Sequence, residues 1–260
     1  MNIIAFCDES SAPDIVRLTS AHNLVCVVAH DRPAARRLVN ELKVPWRIHE
    51  RKGTTGEQAL FRELAQFQPD VVLSSSYGLR IPKLILDLPS IGAINIHGGL
   101  LPAWRGANIL NWVLIEGATE TGVTAHWMTE GFDEGPIIAQ RTLSIDFLDT
   151  AWTLSNKLRH LSSQLLSSLL TDIELGVVLP TQPQDDSQAR YYKRRTPEDG
   201  QIDWKKSNLE IYNLIRALVT PWPGAYTVTE AGMKVVFRDL VPYKSIGVLR
   251  RKYSKKKLSS

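Results

Sequence analysis

Residues 70–98 read DVVLSSSYGLRIPKLILDLPSIGAINIHG, in which two short apolar runs enclose a longer stretch that carries charge. The runs VVL and AINI are rich in β-branched residues, as buried strands usually are. Similar runs occur at NIIAFC, LVCVVAH and TGVTAHWM, with helix-periodic, charged segments between them. This alternation predicts βαβ units, and therefore an α/β fold with an open, Rossmann-like, mostly parallel sheet.

The chain around this stretch predicts the rest of the architecture. TTGEQALFRELAQF predicts a helix capped by Thr54 or Thr55, and the leucine spacing over residues 150–175 predicts a long core-packed helix. Proline and charge are frequent before residue 200, which favours a surface linker. We expect a sheet domain, a linker, a small helix and β-hairpin subdomain, and a basic disordered tail, over residues 1–178, 179–200, 201–248 and 249–260.

Composition argues against several classes of function. The net charge is +4, but the last stretch, LRRKYSKKKLSS, holds six Lys or Arg and no acidic residue, which leaves −2 on residues 1–248. The body of the chain therefore has no basic excess for binding nucleic acid. Neither GxGxxG nor GxxxxGKS/T occurs, so nucleotide binding by those loops receives no support.

The termini and the cysteines favour a cytoplasmic protein without a metal. No apolar run approaches the roughly 18 residues of a membrane span, and the start MNIIAFCDES has neither a basic region nor a cleavable end. We therefore expect a protein that is not integral to the membrane. Cys7 and Cys26 lie in apolar runs without CxxC spacing, so buried reduced thiols are expected.

Polar side chains end the second apolar run of the opening stretch. In a strand AINIHG, Asn95 and His97 point to the same face at the carboxyl end, which is where open α/β sheets bind ligands. Gly98 and Gly99 then allow close approach of the backbone to a ligand. The alternative is that both side chains only satisfy buried backbone groups at a strand end.

A carboxylate follows in a second polar cluster, TAHWMTEGFDEGPII. Asp133 lies there in a glycine-bounded turn between two apolar runs. A carboxylate within reach of an imidazole raises the imidazole pKa and fixes its orientation, as a general base requires. A turn aspartate without any such partner is the alternative, because Asp is common in turns.

Residues 94–140 as a whole resemble the core of the formyltetrahydrofolate-dependent formyltransferases. INIHGGLLPAWRG carries Asn-x-His, Leu-Leu-Pro and Arg-Gly, GVT carries Gly-x-Thr, and DEG carries Asp-x-Gly. The resemblance implies that residues 1–178 are the catalytic domain and that Asn95, His97 and Asp133 are the catalytic residues. One departure is Gly99, where many members have Ser.

The same resemblance implies a formyl donor, 10-formyltetrahydrofolate, and no metal. It assigns the folate pocket to Tyr77, Gly78 and Leu79 of SYGLRIP, with Leu101 and Asp133. Formyl transfer passes through an oxyanion intermediate, so Asn95 would donate a hydrogen bond to the oxyanion and His97 would carry a proton. His126 either borders this cleft or is a packed structural histidine.

The acceptor is not fixed by the fold. Methionyl-tRNA formyltransferases carry a long basic loop and a full C-terminal β-barrel, whereas this chain has no long insertion after LVCVVAH and few residues after TPWPGAY. The segment YYKRRTPEDGQIDWKKSNLEIYNLIRALVTPWPGAY resembles sugar N-formyltransferases. We therefore expect a nucleotide-linked amino sugar as acceptor, with the tRNA enzyme and a non-catalytic folate-binding protein as alternatives.

Several residues are candidates for binding the sugar nucleotide. The diphosphate would meet Arg105 or the basic run, because guanidinium groups suit phosphate, and an aromatic ring would stack on the base. Salt bridges, solvation and hydrophobic packing are the structural alternatives for these side chains. A homodimer through the C-terminal hairpin is an expectation taken from sugar-modifying relatives. The candidates are Arg105, Lys193, Arg194, Arg195, Trp222 and Tyr226.

Overall fold

The computed structural model describes residues 1–8, 11–35, 44–50 and 53–254. Its main sheet has seven strands in the order β3-β2-β1-β4-β5-β7-β8, and two further pairs are β10-β11 and β6-β9. The strands are β1 (Asn2–Cys7), β2 (Asn23–His30), β3 (Trp46–His49), β4 (Val71–Ser75), β5 (Gly92–His97), β6 (Arg105–Gly106), β7 (Glu120–Trp127), β8 (Ile137–Ser144), β9 (Tyr191–Tyr192), β10 (Ala225–Val228) and β11 (Lys234–Phe237).

Helices connect and flank these strands. They are α1 (Ala12–Leu18), α2 (Thr55–Leu64), α3 (Lys83–Leu86), α4 (Ile109–Ile115), α5 (Ala151–Glu174), α6 (Asn208–Arg216) and α7 (Ile246–Tyr253). Short 3₁₀ turns occupy Asp186–Gln188, Pro197–Gly200 and Tyr243–Ser245. None of these elements is a helix both long enough and apolar enough to cross a membrane, within the part of the chain that is described.

The strand order explains where polar side chains collect. Strands β3, β2, β1, β4 and β5 pair in parallel, and β7 pairs antiparallel with β5. The chain runs outward from β1 to β3 and then returns to β4 on the other side of β1, so the strand order reverses between β1 and β4. Ligands bind outside the carboxyl ends of strands near such a reversal. The predicted α/β fold with a mostly parallel sheet is confirmed.

The predicted helix over TTGEQALFRELAQF is α2. The Thr54 side chain accepts a hydrogen bond from the backbone N–H of Glu57 and caps it. Leu60 and Leu64 are buried against the β1, β2 and β4 side chains, and Phe61 packs partly buried on the same cluster. Burial of two such leucines stabilises the fold by about 1.5–3 kcal/mol each.

The leucine stripe of the long helix also packs as predicted. The buried leucines of this stripe in α5 are Leu154, Leu158, Leu165 and Leu169, so the stripe belongs to the core.

The two cysteines, Cys7 and Cys26, are buried free thiols. Burial raises the pKa of both thiols to about 12.

The chain forms two compact units. The first comprises Met1–Arg105, Gly122–Thr142 and Arg159–Tyr191, and the second comprises Gly106–Thr121, Leu143–Leu158 and Tyr192–Ser260. The first contains most of the sheet. Residues 106–121 and 143–158 group with the C-terminal residues. The two units therefore do not coincide with the predicted segments 1–178 and 201–248, and the boundaries of those segments stay a prediction.

The second unit contains the predicted helix and hairpin. Helix α6 begins with a capping box of Ser207 and Glu210, and β10 and β11 form an antiparallel hairpin. The Asn111 side chain of α4 donates to the backbone oxygen of Ala217 at 2.7 Å. These contacts fix α4 against the end of α6.

Two segments contain more regular structure than their composition predicts. The predicted linker, residues 179–200, includes two 3₁₀ turns and the short strand β9. The prediction of a disordered tail from residue 249 is wrong for its first part, because α7 extends to Tyr253. The ring of Tyr253 stacks on Trp204 with centroids 5.9 Å apart, which anchors this helix. The rest of the predicted tail, residues 255–260, lies outside the described residues.

Candidate active site

Strand β5 brings a histidine and an aspartate together. The Nδ1 atom of His97 lies 3.3 Å from Oδ1 of Asp133, and both side chains are nearly buried, with 8% and 11% exposure. The Nε2 atom of His97 lies 2.6 Å from the backbone oxygen of Trp104. Both ring nitrogens therefore face oxygen atoms that can only accept hydrogen bonds.

This arrangement favours the protonated ring. Burial opposes the charge on His97, but the Asp133 carboxylate and the Trp104 carbonyl outweigh it and raise the pKa of His97 above its usual value. The neutral ring would leave one nitrogen lone pair facing an oxygen in either tautomer. His97 is thus set to hold a proton that it has taken.

Asn95 reaches the same carboxylate from two positions earlier on β5. Its Nδ2 lies 3.5 Å from Oδ1 of Asp133 and 3.0 Å from Nε2 of His126. Nδ1 of His126 faces the backbone oxygen of Trp127 at 2.8 Å, which requires a proton on Nδ1 and leaves Nε2 to accept from Asn95. His126 therefore orients the Asn95 amide with its N–H groups toward the site.

The turn that carries the carboxylate has an unusual backbone. Asp133 has φ of 58°, in the left-handed region, which is uncommon for a residue other than Gly. A Cβ at Gly135 would lie 1.7 Å from the backbone oxygen of Trp127, so only Gly fits there. The Gln184 side chain donates to the backbone oxygens of both Asp133 and Gly135, at 2.8 and 2.7 Å.

The Gly-x-Thr motif holds the loop after β5. The Thr124 hydroxyl is fully buried, donates to the backbone oxygen of Gly99 at 2.7 Å and accepts from the backbone N–H of Leu101 at 3.2 Å. A Cβ at Gly122 would lie 2.1 Å from the backbone oxygen of Arg141, where β7 meets β8. At Gly99 the group that Thr124 holds is the backbone oxygen.

The predicted folate residues follow the ends of β4 and β5. The Tyr77 ring stacks on His30, with centroids 4.6 Å apart, and its hydroxyl bonds to Nδ1 of His49. Gly78 donates its N–H to Nε2 of His30 at 3.2 Å. Leu79 is partly exposed and Leu101 is buried. The Tyr77 side chain is thus committed to the core, and any ligand contact there falls to the exposed backbone.

Arg105 has internal partners. Its side chain is 3% exposed, and it donates to the Gln184 side-chain oxygen from Nε at 3.0 Å and from Nη2 at 2.8 Å. Nη2 also reaches Asp186 at 2.8 Å, and Nη1 reaches the Tyr191 hydroxyl at 3.0 Å. Four hydrogen bonds of this guanidinium thus go to internal partners, and its predicted contact with phosphate stays a prediction.

The other candidates for the sugar nucleotide lie in the second unit. Lys193 pairs with Asp199 at 2.9 Å, and Arg194 is exposed. Lys234 covers the ring of Tyr226, 3.8 Å from its centroid. The remaining two, Arg195 and Trp222, line one cavity of about 240 Å³. The structure therefore brings together only that pair.

A larger cleft adjoins the turn of Asp133 in the first unit. It has a volume of about 710 Å³ and is lined by Arg105, Thr129, Glu130, Gly131, Glu134, Asp186, Ala189 and Tyr191. Three carboxylates and one guanidinium face it, and that guanidinium is already bonded to Asp186. Such a cleft attracts a cationic group more than an anionic one.

Within the described ranges, no group of three or more His, Cys, Asp or Glu side chains has the arrangement of a metal site. Sequence reasoning missed two contributions to the catalytic group. The Trp104 carbonyl has no side-chain signature, and Gln184 lies in a stretch whose composition indicates only a linker. The contact of Gln184 depends on folding that joins residues 51 positions apart in the chain.

Comparison with known proteins identifies the family of the chain. The formyl transferase family matches residues 3–170, more than half of the chain, and the C-terminal domain of formyl transferases matches residues 194–247. The chain belongs to the formyl transferase family, and it is a formyltransferase.

Solved structures share the fold at low identity. A 4-N formyltransferase from Francisella tularensis is 20% identical over 92% of this chain and 98% of its own, with a TM-score of 0.76. A sugar N-formyltransferase from Shewanella sp. is 18% identical over 93% and 98%, with a TM-score of 0.73. An N-formyltransferase from Helicobacter canadensis, solved with folinic acid and dTDP-3-aminofucose, is 19% identical over 83% and 79%, with a TM-score of 0.64.

Proposed function

We propose that this protein transfers the formyl group of 10-formyltetrahydrofolate to the amino group of a nucleotide-linked amino sugar, such as a dTDP-4-amino-4,6-dideoxyhexose. Such a reaction would serve surface polysaccharide biosynthesis in the cytoplasm. The observation that carries the proposal is the convergence of Asn95 and His97 on Asp133. The substrates named for structures of the same fold support the choice of acceptor.

The chemistry follows from the positions of these three residues. The acceptor nitrogen attacks the formyl carbon, and the carbonyl oxygen becomes an oxyanion that the Asn95 amide stabilises by donating a hydrogen bond. His97 takes the proton from the amine, and Asp133 and the Trp104 carbonyl stabilise the resulting imidazolium. The bond from the formyl carbon to the folate nitrogen then breaks, and that nitrogen receives the proton, releasing tetrahydrofolate.

The donor would bind beside the carboxyl ends of β4 and β5. Residues 77–79 and Leu101 follow these two paired strands, in which Ser75 is in register with Ile96. The backbone of Gly78 and Leu79 would contact the folate ring, since the Tyr77 side chain packs in the core. Asp133 would contribute to this subsite as well as to catalysis.

The acceptor amine would enter through the cleft of about 710 Å³ that borders the Asp133 turn. Its carboxylates attract the amino group, which is cationic until it loses a proton. Contacts of Arg195 with phosphate and of Trp222 with the base stay predictions, and both residues line one cavity within the second unit. Lys193, in the same basic run, forms an ion pair with Asp199.

The test is release of tetrahydrofolate by the purified protein. The acceptors are a panel of dTDP-, UDP- and GDP-linked amino sugars, unformylated initiator tRNA, and no acceptor. We expect release with one sugar nucleotide, loss of release in His97→Ala, and full release in the control His160→Ala, whose side chain is exposed on α5.

Other outcomes would replace the proposal. Release only with tRNA would identify a methionyl-tRNA formyltransferase, and release without acceptor would identify a hydrolase. Tight folate binding without release under any condition would identify a non-catalytic folate-binding protein.

A further inference from the structure

Gln184 joins the turn of Asp133 to a buried arginine. Its Nε2 donates one hydrogen bond to the backbone oxygen of Asp133 and one to that of Gly135. Its Oε1 accepts two from the guanidinium of Arg105. Both N–H groups and the oxygen of one side-chain amide are therefore used, over separations of 49 to 79 positions in the chain.

The partners determine the orientation of this amide. The two backbone oxygens only accept, and the guanidinium only donates. Rotating the amide by 180° would place its NH₂ against the arginine and its oxygen against both carbonyls. The assignment of nitrogen and oxygen at Gln184 is thus decided by Arg105 on one side and the Asp133 turn on the other.

The arginine itself is held on further sides. Asp186 and the Tyr191 hydroxyl each accept one further N–H group, and the same hydroxyl donates to Glu134 at 2.5 Å. Glu134 follows Asp133 directly in the chain. The turn is consequently fixed through its backbone by Gln184 and through its neighbouring side chain by Tyr191.

The backbone of Asp133 needs such support. Its left-handed conformation costs about 1–2 kcal/mol for a residue other than Gly. That conformation directs its carboxylate toward three groups: Oδ1 lies 3.3 Å from His97, 3.5 Å from Asn95 and 3.6 Å from His126. Release of the turn would separate the carboxylate from all three.

We propose that Gln184 is a positioning residue for the reaction, which holds Asp133 against His97 by transmitting the fixed position of Arg105 to the turn. This inference rests on the proposed function for the role of His97. It makes a prediction about His97 that does not require any substrate.

The test compares Gln184→Asn and Gln184→Glu with the wild type. A glutamate keeps the oxygen that faces Arg105 but sets its second oxygen against the carbonyls of Asp133 and Gly135. Gln184→Asn keeps the side-chain amide, but the shorter side chain cannot reach both Arg105 and the Asp133 turn. Gln182→Glu is the matched control, because Gln182 lies two positions earlier and is exposed.

The first readout is the titration of the His97 imidazole by NMR, with its resonance identified by its loss in His97→Gln. We expect the pKa of His97 to fall in Gln184→Asn, because the released turn takes the Asp133 carboxylate away from the ring. The carboxylate added in Gln184→Glu acts in the opposite sense, so that variant reports through kcat. Gln182→Glu should titrate like the wild type. The second readout is kcat, which should fall about 10- to 100-fold with little change in KM for the donor, because a shift of about 1 Å can cost 10²-fold.

An unchanged His97 titration in folded Gln184→Asn overturns the proposal, even if kcat falls, because it would show a merely structural role. Should Gln184→Asn not fold, Gln184→Ala, whose side chain also fails to reach both sides, decides by the same titration. If no amino sugar is formylated by the wild type, the proposed function fails, but the titration still tests the link between Gln184 and His97.

Discussion

The Nδ1 atom of His97 and Oδ1 of Asp133 lie 3.3 Å apart in a site that is almost closed to solvent. With the Trp104 carbonyl at 2.6 Å on the other ring nitrogen, the imidazole has two acceptors and no donor in this pair of contacts. A ring in that position binds a proton more strongly than a free histidine does. The strand, the loop and the turn that supply these three groups therefore favour the protonated ring.

Asn95→Ala should lower kcat about 10²- to 10³-fold, which is the usual cost of losing one donor to an oxyanion. The stability of the fold should change little, because the amide is only partly buried. Steady-state tetrahydrofolate release measures the effect. Asn156→Ala is the control, since Asn156 is exposed on α5. An equal loss of kcat in Asn156→Ala would contradict the role of Asn95 as the donor to the oxyanion.

The raised pKa of His97 predicts a pH dependence of stability. Because the pKa is higher in the folded state than in the unfolded one, the contribution of His97 is complete below the unfolded value of about 6.5. It is lost as the pH rises through the folded value. The difference in unfolding free energy between wild type and His97→Gln, from urea titrations at several pH values, should therefore shrink as the pH rises. A difference that grows with pH would contradict the assigned charge state.

Thr124→Val should destabilise the protein by about 1–3 kcal/mol, because it leaves the buried backbone groups of Gly99 and Leu101 without partners. Thr121→Val provides a matched control on the same strand. Thr121 is equally buried, and its hydroxyl has no hydrogen-bond partner, so its replacement should be neutral or stabilising. Chemical denaturation measures both, and equal effects would show that the hydrogen bonds of Thr124 contribute nothing.

Gly122→Ala should also destabilise the protein, by about 1–3 kcal/mol, since its Cβ would lie 2.1 Å from a backbone oxygen of β8. Gly98→Ala serves as the comparison for stability, because nothing lies within 4 Å of a Cβ there. The melting temperatures of the two variants measure the effect. A Gly122→Ala protein as stable as the wild type would mean that β7 and β8 can separate at no cost.

The sequence predicts those parts of the molecule that depend on local patterns. Apolar runs and helix-periodic segments predict the sheet, the Thr54 cap and the α5 leucine stripe, because each pattern lies within a short segment. The Asn-x-His spacing predicts that Asn95 and His97 share a face of β5, and both indeed reach Asp133.

Other parts depend on contacts between distant segments. The partners of Arg105 come from residues 184–191, so its burial has no sign in the local sequence RG. The basic charge of the C-terminal segment predicts a disordered tail. Helix α7 forms at its start because residues such as Ile246 are buried, and this burial outweighs the repulsion between nearby cations. Gln184 acts at a distance of 51 positions from Asp133, in a segment whose composition indicates a linker.

The central claim, that Asp133 holds His97 as the proton acceptor, is tested most directly by the pH dependence of kcat in the wild type and in Asp133→Asn. The neutral ring is the form that takes the proton, so kcat should fall as the pH falls through the raised pKa of His97, above its usual value of about 6.5. In Asp133→Asn the maximal kcat should be lower, and this acid limb should move to lower pH, because the carboxylate that favours the charged ring is gone. An acid limb at the same pH in both proteins would contradict the assignment.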